Sequence, residues 1–521
     1  MHVPPLDDHG HNCCFPLKRF LTPNPHPPPT TNPTNDLVNR TVERAGTDVN
    51  NITADYDDIP ISFESCCDFH SSPTKQGLDL PPTYSGSLLQ FDIKYDFMTT
   101  IVTTIDTIDS ALRSLSLSIH DHPELTFEEH YAHDTLTEFM ESHGFLVTRH
   151  YLGLQTAWRA EFTHGKGGRT IGVNAEMDAL PLIGHACGHN LIAASGVGVA
   201  VAIKSALLAH NVSGKVVLLG TPAEEGGAGK ITLLERGGYD GMHACLMCHP
   251  SAGSPNSSST GSCLAMQPID TEFFGHSAHA GNAPWEGANA LDAAFLAYSN
   301  VSVLRQQIKP NHRVTGIIQG CKGAANVIPD YAQMHWLLRA PDRDQLQRLR
   351  ERVEACFSGA VIATGCRLKI TQGKPYYDLR QNAALGRYFS QTMGNRFGMC
   401  TRQVPFGAST DFGNVSYEMP SLHPSFAIPT QPHGGNHTPA FAISARSIEA
   451  HKVCMTVTKG LAWTGFLVLA DDQFYTEYLR KPGLWMVLFR VQSVVYKVYY
   501  WGCLREKRFY PNGNDFMTRA D

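Results

Sequence analysis

The segment from Asp178 to Asn190 constrains the fold of this 521-residue chain more than any other part of its sequence. It contains a carboxylate, two histidines and a cysteine, and a single glycine separates Cys187 from His189. The preceding residues 170–177 predict a short apolar strand, and residues 191–210, rich in Ala, Val and Leu, predict a long buried helix. The cluster is therefore expected on a strand-to-helix connection, where α/β folds place their active sites. Taken alone, however, the segment is better explained by a buried cysteine with ordinary loop histidines.

Two further predicted strands lead into candidate functional residues. Residues 215–220 are a compact apolar run followed by the acidic pair Glu224 and Glu225. Residues 244–248 are another apolar run, which ends at His249. A strand, a helix and a strand in this order predict parallel pairing with right-handed crossovers. The sequence therefore predicts an α/β fold with a mostly parallel sheet flanked by helices.

Composition divides the chain into a core and two atypical ends. Residues 1–95 are rich in Pro, Asn and Thr and predict a disordered arm. Residues 96–262 and 373–479 are assigned to one α/β domain, and residues 480–521 to an atypical tail. Residues 263–372 predict the order strand, helix, strand, strand, helix, strand, which is typical of a ferredoxin-like α+β domain inserted in the larger one.

The overall composition narrows the class of protein. A hydrophobic fraction of 42% is ample for a packed core, and a net charge of −6 provides no basic field for nucleic acid. Fourteen cysteines are too dilute in so long a chain for a disulfide scaffold. The N-terminus shows no charged start followed by an apolar core, so a reducing, cytoplasmic location is expected. The apolar run from Leu484 is interrupted by Arg490 and Lys497, which makes it an unconvincing membrane span.

Several residues near predicted strand or loop ends have side chains that bind metals. They are Cys187, His189, Glu225, His249 and His437. Cysteine and histidine favour zinc, while mixed N/O/S sites also accept manganese or cobalt. Glu224 is adjacent to one of these candidates, and at an irregular strand end the two neighbouring side chains can face different partners. Amide hydrolysis needs a Lewis acid for the carbonyl, an activated water and a proton shuttle, and this set of residues fits those needs.

Eight short motifs occur in a fixed order over roughly residues 98 to 475. They are His122 to Glu129, Asp178 to Pro181, His185 to His189, Pro222 to Gly227, Met247 to Pro250, Gly275 to Ala280, Asn326 to Asp330 and His437 to Phe441. In these motifs the chain resembles the aminoacylase/carboxypeptidase family of metal-dependent amidohydrolases, peptidase family M-twenty, and within it the amidohydrolase branch. The segments Gly184 to Asn190 and Glu224 to Lys230 are most similar to the group that contains β-alanyl-lysine dipeptidase.

The resemblance implies a zinc-exopeptidase-like domain with two divalent ions, bound by Cys187, His189, Glu225, His249 and His437. It implies that Glu224 is the general base, which passes a proton to the leaving amine. It also implies that His279, in the inserted domain, stabilises the oxyanion, and that Asn326 lies near the substrate. Asp178 is expected to orient a metal ligand without binding the metal itself. Arg339 is a candidate for binding a substrate carboxylate. Its position is explained about equally well if Arg339 is an ordinary surface charge at a strand end.

The predicted activity is hydrolysis of the amide bond of a small dipeptide or N-acyl amino acid. The resemblance further implies that the inserted domain is a lid and a dimer surface, so a homodimer is expected. Two alternatives stay open: a catalytically silent relative that binds small peptides, and an amidase of N-acylated metabolite conjugates. The retained Glu224 argues against the silent relative. Asn190 replaces the Asp that many amidohydrolase-branch members have after Cys-Gly-His, and this leaves the surroundings of the second metal less defined.

Overall fold

The computed structural model describes residues 88–320 and 323–476, with side chains described from Asp96 onward. The first helix begins at Leu88, inside the segment predicted to be a disordered arm. Apolar residues continue upstream at helical spacing through Phe91 and Tyr95, which accounts for the earlier start. The remainder of that arm and the atypical tail lie outside the described residues.

The described elements alternate between helices and strands along most of the chain. The helices are α1 (Leu88–Asp121), α2 (His130–Ser142), α3 (His189–Ala209), α4 (Gly229–Glu235), α5 (Ala290–Leu304), α6 (Arg343–Thr364), α7 (Ala383–Phe397), α8 (Phe412–Glu418), α9 (Pro439–Ala445), α10 (Ile448–Ala470) and α11 (Asp472–Phe474). The strands are β1 (Leu146–Arg149), β2 (Trp158–His164), β3 (Arg169–Glu176), β4 (Gly214–Thr221), β5 (Ala244–Leu246), β6 (His249–Ala252), β7 (Ser257–Ser259), β8 (Ala265–Phe274), β9 (Arg313–Gly320), β10 (Tyr331–Ala340), β11 (Arg367–Gln372), β12 (Cys400–Arg402), β13 (Ser421–Leu422) and β14 (Ser425–Ile428).

A six-stranded sheet in the order β1-β2-β4-β3-β5-β13 organises the main core. Strand β3 pairs in parallel with β4 and β5, and β13 continues the parallel pairing, while β1 and β2 form an antiparallel edge. The helices α3 and α10 pack on this sheet with α1 beside them, and Val197, Phe466 and Ile105 are among their fully buried residues. The predicted α/β fold with a mostly parallel sheet is therefore confirmed.

Candidate functional residues lie at the carboxyl end of the parallel strands. Strand β3 leads to Asp178 and then to the segment before α3, while β4 leads to Glu224. A further small sheet, in the order β12-β7-β14-β6, places His249 at the start of β6, opposite Ser425 of β14. The connections after β3 and β4 and the start of β6 therefore bring residues from distant parts of the chain to one edge.

Residues 265–372 form a second α+β unit with its own core. Its antiparallel sheet has the order β11-β8-β10-β9, and α5 and α6 pack against it. Trp336, Phe357 and Phe273 are fully buried there. The order of elements follows the βαββαβ pattern that the sequence predicts for the insert, and its role as lid and dimer surface stays a prediction.

Two helices, α3 and α10, are long and apolar enough to span a membrane by length and composition. However, 83% and 78% of their apolar windows are buried within the protein. Burial on nearly all sides explains their apolar composition, because a helix inside a core needs no polar stripe.

The structure at the start of α2 differs from what the local spacing of the sequence suggests. The spacing of Thr126 and Glu129 fits a capping box. In the structure Glu129 itself precedes the helix and makes no side-chain cap. Its carboxylate instead accepts hydrogen bonds from the backbone N–H of Phe127 at 3.0 Å and of Ala223 at 2.8 Å, and from the Thr156 hydroxyl at 2.6 Å. Glu129 thus fastens the loop that carries the acidic pair.

Candidate active site

The turn before α3 brings two metal-binding side chains together. Gly188, between Cys187 and His189, adopts φ +80°, and a Cβ built there would lie 2.5 Å from Cγ of Pro250. Only glycine meets both demands without a shift of the backbone. His189 is the first residue of α3 and is fully buried. The glycine therefore allows the cysteine and the histidine to face the same space.

The acidic pair lies on the loop between β4 and α4. Ala223, directly before the pair, has φ +59°, a strained value for a residue with a Cβ. Two contacts maintain this geometry: the Ala223 N–H donates to Glu129, and the Tyr376 hydroxyl donates to the backbone oxygen of Glu224 at 2.7 Å. Glu224 is buried and Glu225 is partly buried.

The remaining two histidines come from separate loops. His249 Nδ1 lies 2.7 Å from the backbone oxygen of Pro250, so a proton on Nδ1 leaves Nε2 free to bind a metal. His437, with φ +67°, lies on the loop before α9, and its backbone N–H donates to the oxygen of Ala186 at 2.9 Å. A hydrogen bond thus holds the loop of His437 against the turn that carries Cys187.

The five predicted ligands form two overlapping groups around Cys187. Potential ligand atoms of Cys187, His189 and His249 lie within 4.8 Å of one another, and so do those of Cys187, Glu225 and His437. Cys187 Sγ is 3.4 Å from His249 Nε2, and Glu225 Oε1 is 3.3 Å from His437 Nε2. Since both groups share the cysteine, these five side chains are the ones that would hold divalent metal ions.

Asp178 contacts one residue of each group, and its role of orienting a metal ligand stays a prediction. Its Oδ1 lies 3.1 Å from His189 Nδ1, and its Oδ2 accepts a hydrogen bond from the Glu225 N–H at 3.0 Å. The first contact favours the His189 tautomer in which Nε2 is free to face a metal. A single buried carboxylate thus fixes one ligand from each group.

A cavity of about 620 Å³ opens onto these residues. Cys187, Glu224 and His437 contribute to its wall, and Arg339 of β10 faces it from the four-stranded sheet. The Arg339 guanidinium is half-buried and donates to the Ser409 hydroxyl at 2.6 Å. The sequence alone left open whether Arg339 is a surface charge, and the structure places it in the same cavity as the acidic pair.

The structure does not bring His279 and Asn326 to this cavity. Both residues are exposed and lie on adjoining loops, where the Ala280 N–H donates to the Asn326 oxygen at 3.0 Å. His279 Nδ1 accepts hydrogen bonds from the backbone N–H groups of Gly281 and Asn282, both at 3.1 Å. The predicted catalytic role of His279 and the predicted substrate contact of Asn326 stay predictions.

Comparisons with known proteins fit this geometry. The family model described as Peptidase family M20/M25/M40 matches residues 172–462. The chain is 41% identical over 387 residues to the Xaa-Arg dipeptidase of Mus musculus, a match that covers 70% of this chain and 87% of that protein. The chain belongs to Peptidase family M20/M25/M40. It is therefore a hydrolytic enzyme, a metal-dependent amidohydrolase, which confirms the predicted family.

One further relative and two solved structures are also similar to this chain. A p-aminobenzoyl-glutamate hydrolase component from Escherichia coli is 34% identical over 266 residues, covering 47% of this chain and 54% of that protein. Among solved structures, a dinuclear metal-binding peptidase of the M20 family from Bacillus subtilis superposes with TM-score 0.55 at 21% identity, covering 70% of this chain and 99% of that one. An aminobenzoyl-glutamate utilization protein from Klebsiella pneumoniae gives TM-score 0.55 at 18% identity, covering 70% and 96%. These structures support the fold.

The side chains present fit divalent metal ions of the kind this family uses. His189 Nε2 and Glu225 Oε1 are buried and make no hydrogen bond. Buried polar atoms of this kind call for a partner, and a cation supplies one. Sulfur, imidazole and carboxylate donors together match the preferences of zinc and related ions.

The charge balance of the site points the same way. Burial raises the pKa of Glu224 well above its ordinary value, and the nearby Glu176 and Glu225 carboxylates raise it further. Burial also raises the pKa of the Cys187 thiol. Burial would lower the pKa of His189, but Asp178, Cys187 and Glu176 together outweigh that effect, and the pKa lies well above its usual range. Nearby carboxylates contribute to all three shifts, and divalent cations bound at the site would offset that negative charge.

Sequence analysis assigned no role to three charged residues that lie beside the ligands. Glu176, Lys230 and Asp411 are fully buried, and Lys230 contacts both carboxylates. Two signals were available: Glu176 ends an otherwise apolar strand, and Lys230 ends the glycine-rich run after the acidic pair. Neither signal shows that the three residues meet, because Lys230 and Asp411 are 181 positions apart.

Proposed function

We propose that this enzyme hydrolyses dipeptides with a free C-terminal carboxylate and a cationic C-terminal side chain, using two divalent ions, with zinc as the favoured metal. The observation that carries the proposal is the position of Arg339, which faces the cavity that contains Glu224. Ser409 accepts from only one of the donors that a guanidinium offers, so the remaining donors are suited to a carboxylate. Recognition of a terminal carboxylate makes the enzyme an exopeptidase for short substrates.

The chemistry of hydrolysis follows from the residues around the cavity. Bound divalent ions would polarise the scissile carbonyl and lower the pKa of the attacking water. Glu224, whose Oε2 lies 3.9 Å from His189 Nε2, then accepts a proton from that water. The same carboxyl group passes the proton to the departing amine nitrogen. Tyr376 and Glu129 hold the Glu224 loop in place for both transfers.

The preference for a cationic side chain rests on two further supports. The mouse and human relatives named Xaa-Arg dipeptidase are 41% and 39% identical to this chain. Strand β10 also presents His335 and Leu337 to the cavity, on the same face as Arg339. Asp270 of β8 lies opposite His335, with 2.8 Å between Oδ1 and Nδ1. A substrate anchored at Arg339 and extended along β10 brings a cationic side chain toward the Asp270 carboxylate.

A substrate panel tests this proposal. The metal-loaded enzyme is incubated with β-alanyl dipeptides that end in Arg, Lys, Gln, Leu or Glu, and the products are measured by mass spectrometry. The same peptides with amidated C-termini test carboxylate recognition. The compound p-aminobenzoyl-glutamate, after which the Escherichia coli relative is named, tests the alternative of an amidase for metabolite conjugates. We expect the highest kcat/KM for Arg and Lys and strong loss on amidation. Equal turnover of free and amidated peptides would contradict the assignment of Arg339.

The metal and the oligomeric state belong to the same proposal. Apoenzyme reloaded with zinc, manganese or cobalt should bind two ions per chain by elemental analysis.

We also propose a homodimer formed through the α+β unit of residues 265–372. The edge strand β9 exposes Ile317 and Ile318, and the exposed side of α5 carries Phe295 and Val303. Light scattering should give twice the chain mass, and a monomer would contradict the dimer.

A further inference from the structure

A buried ion network lies directly behind the metal-binding residues. The Lys230 ammonium is 2.7 Å from Asp411 Oδ1 and 2.7 Å from Glu176 Oε1, and all three side chains are fully buried. The backbone N–H of Lys230 also donates to the other Asp411 oxygen at 2.9 Å. Asp411 thus fixes the lysine at both ends and accepts a hydrogen bond from its ammonium, while Glu176 faces the same ammonium as an ion pair in a dry interior.

Glu176 is close enough to the ligands to compete for a metal. Its Oε2 lies 3.4 Å from His189 Nε2, the nitrogen that faces the site. Ligand atoms of Glu176, His189 and Glu224 lie within 4.8 Å of one another and are buried, so these three alone could hold an ion. An ion bound there would engage Glu224 as a ligand and remove it from proton transfer.

Lys230 opposes that competing arrangement. Its positive charge neutralises Glu176 at contact distance and repels a cation from the same side, and this effect is strong because water is excluded. The ammonium has three donors and no acceptor, so it can occupy this place only beside carboxylates. Among the described residues, the ion pair of Lys230 with Glu176 therefore leaves the two groups that contain Cys187 as the ligand sets available to a metal ion.

We propose that Lys230 is a positioning residue that keeps Glu176 out of the metal coordination sphere and so leaves Glu224 free to move protons. The inference rests on the proposed metal site and on hydrolysis at that site. It assigns Glu176 no direct part in catalysis. Removing Lys230 alone should therefore be far more harmful than removing Glu176, and removing both should restore function.

The experiment compares Lys230→Met, Glu176→Gln and the double variant in full-length, metal-loaded enzyme. Wild-type turnover is recorded first on the dipeptide panel. Lys215→Met is the matched control, because Lys215 pairs with Glu161 at 3.3 Å on the same sheet but away from the ligands. Each variant is assayed for kcat, KM, zinc content and melting temperature. The visible absorption of the cobalt-loaded forms is recorded as well, since it weakens as the coordination number rises.

We expect Lys230→Met to lower kcat by about 10²-fold or more, as for loss of a general base, with KM little changed. Its cobalt spectrum should weaken while its metal content is retained. Glu176→Gln should stay within several-fold of wild type, and the double variant should recover most of kcat and the wild-type spectrum. A double variant as inactive as Lys230→Met would overturn the inference and leave Lys230 a structural residue only.

Two further outcomes are also decisive. If Lys230→Met does not fold, Asp411→Asn is added both to it and to the double variant, because Asp411 also loses its partner in each, and the two proteins then differ at Glu176 alone. Loss of metal from Glu176→Gln would make Glu176 a ligand and overturn the inference. If wild-type enzyme cleaves no member of the panel, the proposed function fails instead, and the cobalt spectra then test the inference on their own.

Discussion

Sγ of Cys187 lies 3.4 Å from Nε2 of His249, although the two residues are 62 positions apart in the chain. One residue lies on the turn before α3 and the other begins β6. Cys187 also belongs with Glu225 and His437, so a single thiol is common to both candidate metal groups. The two metal groups are therefore expected to depend on each other through this residue.

Replacing Cys187 by Ser tests that dependence. The substitution removes the soft ligand common to both groups, so we expect bound zinc to fall below one ion per chain and turnover to be lost with it. Metal content after dialysis, measured together with kcat, checks the result. Cys400→Ser is the control, because Cys400 is exposed and unrelated to the site. Retention of two ions by Cys187→Ser would contradict the shared-ligand arrangement.

Asp178→Asn tests the support behind the ligands. The amide keeps the shape of the side chain but weakens its contacts with His189 Nδ1 and the Glu225 N–H. We expect a loss of about 10- to 100-fold in metal affinity or activity. Competition with a zinc-binding dye measures the affinity, and excess zinc should restore part of the activity. An unchanged affinity would show that Asp178 only fills space.

Glu129 predicts a pH-dependent stability. Burial raises the pKa of its carboxyl from 4.5 to about 7. Because the folded-state pKa is the higher one, this contribution to stability is present below pH 4.5 and is lost as the pH rises through about 7. Relative to Glu129→Gln, wild type should lose about 3 kcal/mol of unfolding free energy over that range. Denaturant unfolding of both proteins between pH 5 and 8 checks this, and parallel curves would disprove it.

Asp270→Asn tests the proposed preference for cationic substrates. The carboxylate is partly exposed, so its attraction for a cationic side chain is screened and should be worth at most about 1 kcal/mol. We expect kcat/KM for a dipeptide ending in Arg to fall roughly two- to fivefold, with no change for one ending in Leu. Glu272→Gln, two positions along the same face and paired with Lys369, serves as the matched control. Equal losses for both substrates would remove Asp270 from specificity.

The sequence was sufficient for the fold class because the fold class depends on local patterns, while the ligand role of the five candidate residues stays a prediction. Cys187 and Glu225 follow strands whose parallel pairing brings their ends together, and a parallel sheet can be inferred from strand–helix–strand order alone. The two overlapping groups in the structure contain the five residues predicted as ligands. Asp178 lies two residues beyond the end of β3, and this position accounts for its burial beside the candidate ligands.

Features that depend on tertiary contacts were not predictable. The contact of Lys230 with Glu176 and Asp411 joins three separate segments, and a lysine in a glycine-rich run ordinarily indicates an exposed charge. Glu129 had the spacing of a helix cap but is instead bonded to Ala223, 94 positions away. In both cases a buried charge takes the partner that the fold brings near, and local spacing carries no information about that partner.

The most direct test of the central claim is the turnover of Glu224→Ala beside wild type. Both proteins are loaded with zinc, assayed for metal content and incubated with the dipeptide that wild type cleaves best. Loss of the general base predicts a fall in kcat of about 10²–10⁴-fold with both ions retained. A variant that binds its metals and still turns over at the wild-type rate would contradict the assignment of Glu224 and the mechanism built on it.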